Sequence, residues 1–112
     1  MKIEVRFRGI EASDTLREHV VRRVHFRLSR FGGGVGSVVV RIGDVNGPRG
    51  GVDKRCHVAA RGPALAPILI EQLSTEHHAA INLAVERAAR AVRRGLARAR
   101  TAPRAGANGR AS

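Results

Sequence analysis

Tryptophan and tyrosine are absent from the 112 residues, and Phe7, Phe26 and Phe31 are the only phenylalanines. A core must therefore be assembled from Val, Ile, Leu and Ala around those three rings. The lack of aromatic strand motifs also argues against reading single strands base by base. Cys56 is the only cysteine, which excludes an intrachain disulfide and a CxxC metal pair. No apolar run approaches the ~20 residues that span a bilayer. The N-terminal MKIEVRFRGIE alternates charged and apolar residues where a signal peptide would carry an apolar core. These absences predict a cytoplasmic protein with at most a peripheral membrane role.

Acid and lysine are scarce too. Nine Asp+Glu stand against 21 Lys+Arg, for a formal charge of +12, and Lys2 and Lys54 are the only lysines. That excess is more than solubility asks of a small domain and points to a polyanionic partner. Nucleic acid or an anionic membrane surface would satisfy it; arginine grips phosphate through a planar two-pronged fork and stacks on bases, which favours nucleic acid over bulk charge neutralisation. A GC-rich genome would account for Arg over Lys, but not for the net charge. The length suits one domain.

Lys2 to Arg8 alternate with Ile3, Val5 and Phe7, the period of a half-buried strand. Ser13, Asp14 and Thr15 offer caps for a helix, with Thr15 and Glu18 spaced as a capping box. Leu16, Val20, Val24, Leu28 and Phe31 carry that helix to about Arg30, where Gly32–Gly34 stop it. Residues 37–43 and 52–61 read as strands around a hairpin loop with Asn46-Gly47, Pro48 and Arg49. In the second of them Cys56, Val58 and Ala60 point inward and Arg55, His57 and Arg61 outward. Leu65 to Leu73 reads as a fourth strand, with Pro67 suited to its start or to an edge. Ser74 or Thr75 caps a second helix from about His77 to Arg98, and residues 101–112 read as a disordered basic tail. The fold class predicted is α+β, in the order β-α-β-β-β-α. A four-stranded, antiparallel-rich sheet packs both helices on one face and leaves the other open.

The groups that could carry catalysis do not cluster. The five histidines show neither HExxH nor zinc spacing, and Cys56 and His57 point to opposite faces of one strand. GGGVG at 32–36 follows a helix and precedes a strand, the reverse of a phosphate-cradling loop, and lacks the P-loop Lys-Ser/Thr. A non-enzymatic protein without metal, cofactor or small-molecule substrate is expected, its histidines structural or solvated.

The cationic signal lies on the helices. In the second helix, Ile81, Val85, Ala88, Val92 and Leu96 share one sector, and Arg87, Arg90, Arg94 and Arg98 gather opposite them, spaced to follow a phosphate backbone. Glu86 is the last acidic residue, and eight arginines follow it. The first helix adds Arg22, Arg23, Arg27 and Arg30. Together these arginines are expected to bind a polyanion, with folded RNA recognised by shape and backbone as the best fit.

MKIEVRFRGIEASDTLREHVVRRVHFRLSRF is similar to the start of the ribosome hibernation promoting factor family, also labelled ribosomal subunit interface protein or sigma-54 modulation protein. AAINLAVERAARAVRRGL resembles that family's final helix, and GDVNGPRGGVDKRC a variant among its short members. The resemblance covers about residues 1–100. It implies a β-α-β-β-β-α domain that binds ribosomal RNA on the small subunit, occupies the mRNA and transfer-RNA channel, and inhibits translation under stress. The basic contacts it implies fall on Arg87, Arg90, Arg94 and Arg98, with support from Arg22, Arg23 and Arg30. Long members carry a further C-terminal domain that pairs ribosomes; a short type without it is expected here. The alternative is a general double-stranded RNA-binding module, since domains that read duplex RNA by shape can share this element order.

Overall fold

The computed structural model describes residues 1–45 and 52–101. Lys2–Arg8 form strand β1, with Ile3, Val5 and Phe7 packed against the core. Helix α1 spans Asp14–Leu28. Its cap is Ser13, whose backbone is extended and whose hydroxyl accepts the Leu16 N–H at 3.2 Å. Thr15 and Glu18 therefore lie inside the helix, and the capping box expected of them does not form. A 3-10 turn, Ser29–Gly34, follows, in which Gly32 takes a φ of 55° that a side chain would strain.

Strands β2 (Ser37–Asp44), β3 (Lys54–Gly62) and β4 (Leu65–Ser74) precede helix α2 (His77–Thr101). The sheet order is β1-β2-β3-β4. The α1 crossover makes β1 parallel to β2, while β3 is antiparallel to both neighbours. The predicted α+β order is the one observed. The expected hairpin turn at 46–49 and the expected tail beyond Thr101 lie outside the described residues. The Val45 N–H bonds to the Asp53 carbonyl at 2.8 Å, which extends the pairing of β2 and β3 past Asp44 and Lys54. Pro67 sits in the edge strand β4, where the register slips between Ala60 and Gly62 of β3, so its missing N–H breaks no central ladder.

Both helices cover the same face of the sheet. Leu16, Val20, Val24 and Leu28 of α1 and Ile81, Val85, Ala88 and Val92 of α2 meet Val38, Val40, Ile42, Cys56, Val58 and Ala60 in one buried cluster. A Cβ at Gly62 would run into the Gly34 carbonyl, so the end of β3 and the 3-10 turn touch backbone to backbone.

One core assignment fails. Phe7 and Phe31 pack against the cluster, but Phe26 is 73% exposed. The buried stripe of α1 runs 16, 20, 24, 28, and residue 26 lies about 200° around the helix from Val24. Helical phase thus overrides the demand of an aromatic-poor composition for every ring in the interior.

Candidate nucleic-acid interface

Because α2 buries Ile81, Val85, Ala88 and Val92, the same 3.6-residue period turns Arg87, Arg90, Arg93, Arg94 and Arg98 to solvent. At 25 residues the helix is about 37 Å long, the scale of several nucleotides of backbone.

Helix α1 lies beside it, and Glu86 joins the two. Arg27 donates Nε and Nη2 to the two Glu86 carboxylate oxygens, each at 2.8 Å, and Arg90 Nη1 reaches Glu86 Oε2 at 3.4 Å. The Arg27 fork holds the Glu86 carboxyl below its usual range. Glu86 is the one carboxylate lining a cleft of about 120 Å³ between the helices, whose walls also carry Arg27, Arg30, Arg90 and Arg93. Four guanidinium groups around one carboxylate leave the cleft strongly positive. Arg30 lies over the Phe31 ring at 5.8 Å, and Arg23 over Phe26 at 5.6 Å. Arg22 is exposed.

The seven arginines expected from the sequence do not form one patch. Arg22, Arg23, Arg30 and Arg90 belong to the α1–α2 surface, and Arg94 is exposed one turn beyond Arg90. Arg87 turns to the other flank, donating to the Glu71 carbonyl at 2.7 Å and to Gln72 Oε1 at 2.9 Å on β4. Arg98 lies on that flank too, beside Leu65, Pro67 and Ile68. Arg93 was outside the expected set although its i+3 spacing to Arg90 is a visible signal. Arg27, also outside that set, lines the same cleft with its fork turned to Glu86.

The open face of the sheet is a second cationic surface. Arg6, Arg41, His57 and Glu71 align across the four strands. Glu71 meets Arg55 at 3.4 Å and His57 at 3.5 Å, and Glu4 pairs with Arg6 at 2.7 Å. Beside them Val39, Ala59 and Leu69 line a shallow depression of about 440 Å³. Arg55, His57 and Arg61 face away from the core, as the alternation predicts.

Several titratable side chains lie in the core or in polar contacts within the fold. Burial pushes the Cys56 thiol up to about 12, which keeps it in its protonated form. His77 lies 3.4 Å from Asp44, which also meets Lys54 at 3.4 Å. His19 shares a 2.7 Å hydrogen bond with Asn82, and its ring centre is 4.5 Å from that of His78. Burial lowers the proton affinity of both His19 and His77. An unfolded imidazole, near 6.5, then binds its proton before the folded one does, so stability is complete above that pH and falls below it. The urea midpoint is expected to drop between about pH 7.5 and about pH 5.5, and His19→Gln to flatten part of that drop. A midpoint constant over the interval would contradict this. Among the described residues no His, Cys, Asp and Glu group is placed to hold a metal, and no helix is long and apolar enough to cross a membrane.

Solved structures share this architecture. The N-terminal domain of Protein Y from Thermus thermophilus superposes with a TM-score of 0.70 at 24% identity, covering 84% of this chain and 98% of its own. A ribosomal subunit interface protein from Coxiella burnetii gives a TM-score of 0.73 at 15% identity, covering 87% of this chain and 99% of its own. No curated protein matches the chain. The sequence itself carries the profile of one family across residues 3–100. With a match of that extent, the chain belongs to the family described as sigma 54 modulation protein / S30EA ribosomal protein.

Proposed function

We propose that this domain is a translation inhibitor that lodges on the small ribosomal subunit. Its arginine-lined helix layer faces folded ribosomal RNA, and its body fills the channel that mRNA and transfer RNA use, which keeps ribosomes idle under stress. The observation that carries the reading is the α1–α2 cleft, which Arg27, Arg30, Arg90 and Arg93 line together with the single carboxylate of Glu86. Such a cluster holds phosphate through charge-assisted, forked hydrogen bonds and needs no base identity. Family membership supports the ribosome as the source of that phosphate, and so does the fold shared with a ribosomal subunit interface protein.

Sucrose-gradient sedimentation with purified small subunits tests the reading. At moderate salt the protein is expected in the subunit fractions, and a protein that stays at the top of the gradient contradicts it. Competition with a plain RNA duplex separates the specific reading from a general duplex binder: small subunits should displace the duplex, whereas equal affinity would favour the general module.

A further inference from the structure

Phe26 is the exposed phenylalanine of the chain, and its neighbours are cations. Arg22 and Arg30 stand four residues to either side and Arg23 three before it, the spacings that meet on a helix surface. The Arg23 guanidinium lies over the ring, 5.6 Å from its centre, and the buried Arg23 Nε has no hydrogen-bond partner among the described residues. A single exposed apolar side chain needs no explanation. A ring 73% exposed, with one guanidinium over it and two more arginines a turn away on its helix, beside a cleft that adds Arg27, Arg90 and Arg93, is a different case. An apolar pocket on a protein partner would call for apolar neighbours around the ring, and those at Arg22, Arg23, Ser29 and Arg30 are polar. A nucleobase asks for what is present: a π-face to stack on, and cations within reach of the phosphates on either side. Bases inside a duplex have no free face, so the ligand is a base splayed from a loop or bulge.

We propose that Phe26 is a stacking platform for one unpaired base of the RNA whose backbone the adjacent arginines hold. The inference rests on the RNA-binding reading above, and gives a surface that otherwise reads charge and shape a preference for RNA with an unpaired base.

Because the chain has no Trp or Tyr, Phe26→Trp installs a sole indole reporter. It is titrated with an RNA hairpin carrying an unpaired purine loop, with a blunt duplex of equal length, and with inorganic polyphosphate. The hairpin is expected to quench the indole strongly at saturation, the duplex and polyphosphate weakly. Phe26→Ala and Phe26→Leu are expected to weaken hairpin binding by about 5- to 100-fold, the range a base–aromatic stack carries, while Phe26→Tyr retains it. The salt dependence of binding should stay that of the parent, since every arginine remains. Equal quenching by polyphosphate would overturn the proposal. So would full affinity in Phe26→Leu, the outcome an apolar protein contact predicts. A parent protein that binds the hairpin with a normal salt slope but is indifferent to Phe26→Ala sinks the stacking alone; a parent that binds none of the three probes sinks the RNA reading as well.

Discussion

Replacing Arg30, Arg90, Arg93 and Arg94 together with glutamine is expected to weaken binding to small subunits by about 1,000-fold. Four phosphate-binding side chains at roughly 1 kcal/mol each sum to roughly 4 kcal/mol, and each 1.4 kcal/mol is tenfold in affinity. The same variant should flatten the plot of log affinity against log salt by roughly 3, because every phosphate left without its guanidinium keeps about 0.7 to 0.9 of a counterion. Arg27 is left in place so that Glu86 keeps the fork that ties α1 to α2. Binding isotherms at several salt concentrations check both quantities. A weaker affinity with the parent slope would mean that the four side chains act through the fold and not through phosphate.

Stability should fall most steeply at the α2 core. Ile81 is fully buried, and Ile81→Ala removes its methylenes from the cluster and leaves a cavity, at a cost of about 2–5 kcal/mol. Against the roughly 5–15 kcal/mol that holds a domain together, that lowers the unfolding temperature by about 10 °C or more. Leu83, two residues on, is 48% exposed, and Leu83→Ala should cost about 0.5 kcal/mol or less. Thermal melts of the pair check the contrast. Equal destabilisation would mean that the side of α2 assigned to the core is wrong.

Most of the fold is legible in the sequence because it is written as period. The two-residue alternation of β1 and the 16-20-24-28 and 81-85-88-92 stripes each choose a face, and those faces determine which layer a segment joins. Phe26 was misplaced where composition was allowed to speak over period. The capping residue was legible only as one of three neighbours, since Ser13, Asp14 and Thr15 all carry a suitable oxygen and the choice depends on where the backbone leaves the extended region.

The candidate site was legible to a lesser depth. The arginine side of α2 follows from the projection, but a projection does not say which flank meets α1 and which meets β4. That is decided by tertiary contacts: Glu86 accepting from Arg27 on one side, and Arg87 donating to Glu71 and Gln72 on the other. The consequence is that Arg93 takes a place in the cleft and Arg87 leaves it. The open sheet face was foreseen as open, yet its row of Arg6, Arg41, His57 and Glu71 needs the parallel β1–β2 register before it exists at all.

The outer strands of the sheet carry a last implication, for crowding. An edge strand with free amides is a template on which further copies can add. Here β4 carries Pro67, which has no N–H to offer, and β1 carries Lys2, Glu4, Arg6 and Arg8 along the open face of the sheet. A proline within one edge strand and charges along the other both disfavour the edge-to-edge pairing of copies from which fibres grow.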